Sequence, residues 1–270
     1  MKKIAFATLT LLATVFLAAC GSSKEDSSTD KVIKVVGQAP PMTDVVKVAA
    51  EVAKADGWDI QLVQVNDNVA YNDMVANKEA DASFAQHQIF MQQYNDAKGT
   101  NLVAIQPIYD AKVGFYSKDY TNKEDIPTGT KVAIANDAAN EGRSLAILQE
   151  QGLITMKDGV GISGTTKDVI DNPKEFEWLP VDLLNLAEAY EEPNVSLVFD
   201  YPTYIDKIGL KPTDALFLEE NITDDFSIQL VAREDNQDSE KIQALKKYMT
   251  SDEVKKFLED EHSDTLLPSF

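Results

Sequence analysis

The chain has 270 residues, of which 45 are Asp or Glu and 25 are Lys or Arg, so its formal net charge at pH 7 is −20. An acidic chain of this kind lacks the basic patches that nucleic acid needs, and it has no electrostatic attraction to anionic lipid. Cys20 is the only cysteine, which excludes an intramolecular disulfide framework.

The N-terminus has the composition of a secretory signal peptide, residues 1–19. Two lysines precede an apolar run at 4–16, which is shorter than the ~20 residues of a membrane span. "LAAC" at 17–20 resembles the bacterial lipobox, which implies cleavage before Cys20 and acylation of its new N-terminus, including palmitate. The polar, Ser-rich residues 20–30 then form a lipidated flexible tether. These features predict a bacterial protein anchored by lipid to the extracytoplasmic face of the cell membrane.

Strand and helix patterns alternate along the first part of the remaining chain. The pattern predicts strands at 32–37, 59–65, 81–87 and 101–110, with helices at 43–57, 71–80 and 88–99 between them. Such a βαβαβ series is typical of a mainly parallel sheet covered by helices.

A second series follows, with predicted strands at 130–135, 176–181, 195–200 and 226–234. Helices are predicted in the stretch 136–153, at 184–190, and at the C-terminus at 239–249 and 251–260. Two α/β units in one exported chain favour two lobes with a cleft between them, because ligands of parallel sheets bind at loops that lead from strands into helices.

The stretch "NDAANEGRSLAILQEQGL", residues 136–153, is one such strand-to-helix junction. Asn136, Asp137 and Asn140 are good helix-starting residues, and Gly152 is placed to end the helix. Arg143 lies one turn inside, where the helix dipole favours negative charge. Two interpretations stay open: Arg143 binds a ligand carboxylate with its donor fork, or it pairs with a nearby acid or with solvent.

Patterns of catalytic chemistry are absent from the sequence. It contains two histidines, His87 and His262, and no zinc-protease, EF-hand, nucleophile-elbow, P-loop or dinucleotide-binding motif. The sequence therefore predicts a binding protein that is not an enzyme and that needs neither a metal nor another cofactor.

Several motifs together resemble the NlpA/MetQ lipoproteins, the substrate-binding components of methionine ABC transporters. They are the lipobox, "QH" at 86–87, and the segments 132–161, 171–174, 209–217 and 251–259. The resemblance implies a type II periplasmic-binding-protein fold, an α/β fold with a ligand cleft between two lobes. Lobe 1 would comprise residues 31–112 and 226–270, and lobe 2 residues 113–225.

The resemblance also implies the site. Arg143 matches the arginine that holds the ligand carboxylate, Asn140 matches an asparagine of the same loop, and His87 matches a histidine that encloses the ligand side chain. The sequence departs from the family elsewhere around the expected cleft. The additional candidate ligand-binding residues are Phe84, Asn68, Tyr71, Tyr109, Asp200 and Tyr201.

Four of these departures change the expected chemistry. The aromatic residue of the β-strand motif stands at Phe84 and not at position 85. The residue characters at Asn68 and Tyr71 are exchanged relative to the family. Lys112 stands where proline is common. Asp200 or Tyr201 replaces the asparagine that binds the amino-acid head group. Asp200 is expected either to bind the ligand ammonium or to cap the next helix. Lys112 is expected either to pair with Asp200, to contact the ligand, or to be a solvated hinge lysine.

These observations predict a lipid-anchored solute-binding protein of an ABC importer. Its ligand would be methionine, a related amino acid or a short peptide, held by its carboxylate and amino groups and delivered to the permease and ATPase subunits. The alternative is a surface adhesin or interaction lipoprotein that reuses the same scaffold. Met42, Met91 and Tyr94 are expected in the core and not in the pocket.

Overall fold

The computed structural model describes residues 30–270, in which the chain builds two main β-sheets. The predicted signal peptide, the predicted acylation site Cys20 and the predicted tether up to residue 29 lie outside the described residues. Within residues 30–270, no helix has the length and apolar character that crossing a membrane requires.

The first part of the chain follows the predicted alternation closely. Its elements are β1 (Val32–Gly37), α1 (Met42–Ala53), β2 (Asp59–Gln64), α2 (Ala70–Ala76), β3 (Ala82–His87), α3 (Gln88–Lys98) and β4 (Leu102–Ala111). α1 buries the apolar side of its amphipathic pattern, and a short 3-10 turn extends it to Gly57, whose φ of +80° ends the helical stretch.

The second part contains shorter elements. They are β5 (Gly114–Tyr116), β6 (Lys131–Ala135), α4 (Ala138–Glu150), β7 (Thr155–Met156), β8 (Val169–Asp171), β9 (Glu177–Val181), α5 (Leu186–Ala189), β10 (Leu197–Asp200), α6 (Pro202–Ile205) and β11 (Phe217–Leu218). The chain ends with β12 (Ile228–Arg233), α7 (Glu240–Met249), α8 (Asp252–Glu261) and β13 (Leu266–Pro268). Five short strands, β5, β7, β8, β11 and β13, have no counterpart among the predicted strands.

The larger sheet is mixed, which corrects the expectation that it is mainly parallel. Its strand order is β13-β4-β12-β3-β1-β2. β1 pairs in parallel with β2 and β3, whereas β12 runs antiparallel between β3 and β4, and β13 pairs antiparallel with β4. The reason is that β12 reaches this sheet only after the chain has built the second sheet, and local periodicity does not contain that long-range return.

The second sheet has the order β11-β5-β10-β6-β9. β10, β6 and β9 pair in parallel, and β5 pairs antiparallel with β10 and β11. The chain passes from the first sheet to the second between β4 and β5, and it returns between β11 and β12. This is a two-lobe α/β fold of the type II periplasmic-binding-protein kind. The residue boundaries given above for the two lobes stay a prediction.

Helix α4 begins directly after β6, at the predicted junction. Asp137 is its N-cap, because the Asp137 carboxylate accepts a hydrogen bond from the Asn140 backbone N–H at 2.9 Å. Gly142 is required by packing, since a Cβ there would lie 1.9 Å from the backbone oxygen of Ile162. The turn at 161–163 therefore sits against the helix, and α4 buries Arg143 one turn after its start.

Candidate ligand-binding site

A cavity of about 450 Å³, counting the space open to solvent at its mouth, lies between residues of the two lobes. Its lining residues carry no charged side chain at neutral pH. They are Met42, Asn68, Tyr71, Ala85, Gln86, His87, Phe90, Tyr109, Ala111, Asn140, Leu183, Tyr201, Thr203, Tyr204 and Ile228.

Two helix starts bring His87 and Asn140 together across the cleft. His87 ends β3 and caps α3, because its Nδ1 accepts a hydrogen bond from the Phe90 backbone N–H at 3.2 Å. This leaves Nε2 as the protonated nitrogen, which donates to Asn140 Oδ1 at 3.2 Å. Burial, together with the positive charge of Arg143, lowers the pKa of His87 to about 3. His87 is therefore a neutral donor.

The Asn140 side chain uses most, but not all, of its hydrogen-bonding capacity within the protein. Its Oδ1 also accepts from the Tyr201 hydroxyl at 2.7 Å, and its Nδ2 donates to both carboxylate oxygens of Asp137, at 3.1 and 3.0 Å. Asn140 thus connects the first lobe, through His87, with Tyr201 in the second.

Arg143 is fully buried, and it is paired with an acid. Its Nε donates to the two carboxylate oxygens of Glu219 at 3.1 and 3.2 Å, and its NH2 forms an ion pair with the same carboxylate. Its remaining nitrogen, NH1, donates to the Tyr201 hydroxyl at 2.9 Å. The guanidinium carbon lies 4.4 Å from the Phe226 ring centre. Burial opposes the charge, but the neighbouring Tyr201 and Glu219 outweigh it and raise the pKa of Arg143.

Four tyrosines line the cavity, and their hydroxyl groups differ in hydrogen bonding. Tyr201 lies between Arg143 and Asn140, and Tyr204 donates to Gln38 Oε1 at 2.9 Å. The Tyr109 hydroxyl is buried and has no hydrogen-bond partner within the described residues. Burial raises the pKa of Tyr71 and Tyr109 well above the usual value, so both phenols stay protonated.

Six of the predicted ligand-binding residues line this cavity: Asn68, Tyr71, His87, Tyr109, Asn140 and Tyr201. Three do not: Phe84, Arg143 and Asp200. Phe84 is buried on the far side of its strand and packs edge-on against Tyr109, with 5.6 Å between the ring centres, while Ala85 faces the cavity. The ligand contacts of all nine residues stay predictions.

No hydrogen bond or ion pair joins Asp200 and Lys112, and each has a different partner within the described residues. Asp200 is fully buried at the end of β10, where Oδ1 accepts from the Tyr201 backbone N–H at 2.8 Å and Oδ2 has no partner within the described residues. Burial raises the pKa of Asp200 well above its usual value. The Lys112 ammonium donates to the Ser263 backbone carbonyl at 2.7 Å, which fits the hinge-lysine interpretation.

The sequence analysis missed Glu219, the counter-ion of Arg143. The two residues are 76 positions apart, and Glu219 follows a two-residue strand in a segment rich in acids, so no local pattern distinguishes it. Met42 was expected only in the core, but it is buried and also lines the cavity. Within residues 30–270, no group of three or more His, Cys, Asp or Glu side chains is placed to hold a metal ion.

The two lobes, the cavity between them and its uncharged polar lining define a solute-binding protein of the periplasmic-binding class. The chain belongs to the NlpA lipoprotein family, whose model matches residues 33–270. The family consists of substrate-binding proteins and not of enzymes, which confirms the expectation from the sequence. Its members are lipoproteins, which implies a membrane-anchored protein outside the cytoplasm.

Relatives with known names and structures support this assignment. The D-methionine-binding lipoprotein MetQ of Escherichia coli K12 is 34% identical over 246 residues, which are 90% of this chain and 89% of the relative. A YaeC-family lipoprotein structure from Enterococcus faecalis is 45% identical, with a TM-score of 0.81 over 89% of this chain and all of the other. A nutrient-binding protein from Burkholderia cenocepacia, solved bound to methionine, is 30% identical, with a TM-score of 0.83 over 88% of this chain and all of the other.

Proposed function

We propose that this protein binds methionine, a related amino acid or a short peptide in the cavity between its lobes and delivers it to the permease and ATPase subunits of an ABC importer. The observation that carries the proposal is the cavity itself, which is formed by both lobes and lined by apolar and uncharged polar groups. The relatives named for methionine binding support the ligand class.

The mixed lining suits a ligand with an apolar side chain and a polar head. Met42, Phe90, Leu183 and Ile228 supply apolar contacts, which favour a thioether or aliphatic chain. Tyr109 also lines the cavity, and its buried hydroxyl has no hydrogen-bond partner among the described residues, so a ligand acceptor within its reach would satisfy it. No bond is made or broken, and closure of the lobes on the ligand would signal an occupied site to the permease.

A lipid on Cys20 would keep the protein at the extracytoplasmic face of the membrane. A single acyl chain binds a membrane only marginally, so stable anchoring takes more than one chain. The wild-type protein is expected in the membrane fraction of its host, and the Cys20→Ser variant in the soluble fraction. Equal membrane retention of the two would contradict the anchor.

A thermal-shift screen of L- and D-amino acids and short peptides tests the ligand class. Binding to the native state is expected to raise Tm with increasing ligand concentration. Thr203→Trp should abolish the shift, because residue 203 lines the cavity and is partly exposed, so that a larger side chain can fill the space. Thr213→Trp is the matched control, since Thr213 is exposed and is not a lining residue.

Two outcomes would refute the proposal. The first is the absence of any concentration-dependent shift in the wild-type protein, which would favour the adhesin alternative. The second is an equal shift in the Thr203→Trp and Thr213→Trp variants, which would place the ligand elsewhere.

A further inference from the structure

A second cavity lies beside the ligand cavity, and it is also lined from both lobes. Thr203 lines both cavities. An ion pair joins the two walls of the second cavity, with 3.0 Å between the Lys211 ammonium nitrogen and a carboxylate oxygen of Asp264. Lys211 belongs to the second lobe and Asp264 to the first, and neither residue lines the ligand cavity. The pair therefore connects the lobes outside the ligand site.

Both members of this pair are charged at neutral pH. The hydrogen bond between them raises the pKa of Lys211 and lowers the pKa of Asp264. Asp206 and Asp214 also favour the charged lysine. These two acids belong to the same lobe as Lys211, so among the three acids only Asp264 connects the lobes.

The turn that carries Asp264 is held in place by contacts other than the ion pair. Within the turn, the Thr265 backbone N–H donates to the His262 carbonyl at 2.9 Å. From the hinge between β4 and β5, Lys112 donates through its backbone N–H to the Thr265 carbonyl at 3.0 Å and through its ammonium to the Ser263 carbonyl at 2.7 Å. A carboxylate on a fixed turn loses less conformational freedom when it pairs, which reduces one of the costs that make exposed ion pairs weak.

The chain segments that the ion pair joins continue into walls of the ligand cavity. Lys211 lies shortly after α6, which contributes Thr203 to the lining. Asp264 lies shortly before β13, which pairs with β4 at the lining residues Tyr109 and Ala111. Holding Lys211 and Asp264 together thus holds one wall of the cavity against the other.

We propose that Lys211 and Asp264 form a latch between the lobes, which stabilises the closed arrangement in which both lobes line the ligand cavity and makes ligand affinity depend on ionic strength. The inference rests on the proposed function and deepens it, since it concerns the regulation of the same cleft. A contact between the closed lobes increases the fraction of the protein that is ready to bind, and apparent affinity rises with that fraction. The two side chains are 57% and 42% exposed, so dissolved salt weakens their attraction.

The first test is calorimetric titration with L-methionine at ~20 mM and ~500 mM NaCl, between which the screening length falls from about 20 Å to about 4 Å. The Lys211→Met variant removes the ammonium group and keeps an unbranched apolar chain. At low salt we expect it to bind about two- to fivefold more weakly than the wild type, which is the effect that an exposed ion pair can supply. At high salt the difference should shrink, and the Lys211→Arg variant should restore wild-type affinity at both salt concentrations.

The matched control is Lys78→Met. Lys78 forms an ion pair with Asp235 at 2.6 Å, and the two side chains are similarly exposed. Both residues belong to the first lobe, so this pair cannot affect closure, and the control should keep wild-type affinity. An equal loss in the two Met variants, an unchanged affinity in Lys211→Met, or a loss that does not diminish at high salt would overturn the inference.

A double-mutant comparison shows whether the two residues act as one pair. The Asp264→Asn variant should bind methionine as weakly as Lys211→Met, and the variant with both changes should bind no more weakly than either alone. Losses that add up in the double variant would show that the two residues act separately, and the latch would then be wrong.

A second measurement follows the lobes without a ligand. Spin labels on Lys98→Cys, at the end of α3, and on Glu188→Cys, in α5, report the distance between the lobes by pulsed electron paramagnetic resonance, since both positions are exposed. Cys20→Ser removes the native cysteine. Adding Lys211→Met to this labelled protein, or adding salt to it, should increase the share of longer distances. Identical distance distributions with and without Lys211→Met would overturn the inference.

The proposed function and the latch can fail separately. If the wild-type protein does not bind L-methionine, the ligand assignment is wrong, and the distances in the ligand-free protein decide on the latch. If the wild type binds L-methionine and Lys211→Met binds it equally well at both salt concentrations, the function stands and the latch falls.

Discussion

Two buried carboxyl groups in the second lobe, Glu219 and Asp200, have opposite surroundings. Glu219 faces a guanidinium and makes several charge-assisted hydrogen bonds with it. Asp200 accepts one backbone N–H, and its second oxygen has no partner within the described residues. Burial raises the pKa of Asp200 well above its usual value, whereas the pKa of the Arg143 guanidinium is raised by its neighbours Tyr201 and Glu219.

This difference shows which surroundings stabilise a buried carboxylate in this protein. A buried ionised carboxylate is tolerated only beside a cation, and a carboxyl without a cation takes up a proton. Glu219 and Arg143 together form a neutral, rigid support behind Tyr201. Asp200 has no cation bonded to it within the described residues, and burial disfavours the charged form of its carboxyl group.

The largest expected effect is that of Glu219→Ala on stability. This change leaves Arg143 buried without its counter-ion, which is expected to lower the free energy of unfolding by about 3–5 kcal/mol. Guanidinium chloride denaturation followed by far-UV circular dichroism measures it. The Arg143→Gln/Glu219→Gln double variant should lose less, because it leaves no uncompensated charge. The exposed Glu220→Ala control should change stability by ~0.5 kcal/mol or less, and an equal loss in both alanine variants would contradict the buried pair.

The second expected effect is a pH dependence of the unfolding free energy that arises at His87, next to the charge of Arg143. Burial and, to a smaller extent, the positive charge of Arg143 lower the pKa of His87 from 6.5 to about 3. Below pH 6.5 the unfolded chain binds a proton at His87 that the folded chain refuses, so stability falls as the pH falls toward 3. The linked loss is about 3 kcal/mol at pH 4.

The His87→Asn variant isolates this contribution. Asparagine can still cap α3 but cannot titrate, so the difference in unfolding free energy between variant and wild type should shrink as the pH falls from 7 to 4. His262→Asn is the control, because His262 lies at the end of α8, away from the cavity lining. A difference that stays constant with pH would show that His87 titrates alike in both states.

The sequence predicted more of the fold than of the site. The strands and helices of the first α/β unit follow periodicity and capping residues, and α4 begins at the predicted Asp137. The insertion of β12 between β3 and β4 depends on a return over more than a hundred residues, and no local pattern encodes it.

The site was predictable where a motif carried it. The junction at 136–143 and the end of β3 were found from their helix-starting residues and from the resemblance to the family. The choice between the two interpretations of Arg143 depended on Glu219. Glu219 is too far from Arg143 along the chain for a local sequence pattern to link the two residues. Likewise, Asp200 and Tyr201 are adjacent in sequence, and only the direction of their side chains shows that Tyr201 faces the cavity.

The smallest expected effect is that of Asp200→Asn, and it tests the other side of the comparison. The pKa of Asp200 is raised in the folded protein, so the wild type loses stability as the pH rises through the unfolded value toward the folded one. Asparagine keeps the acceptor for the Tyr201 backbone N–H and removes this dependence. The variant should therefore be more stable than the wild type at pH 8, by about 1 kcal/mol, and this advantage should vanish near pH 4. Methionine affinity should stay within about twofold, which is ~0.4 kcal/mol. A large loss of affinity in this variant would instead place Asp200 at the ligand ammonium and would end the comparison, since both buried acids would then serve charge recognition.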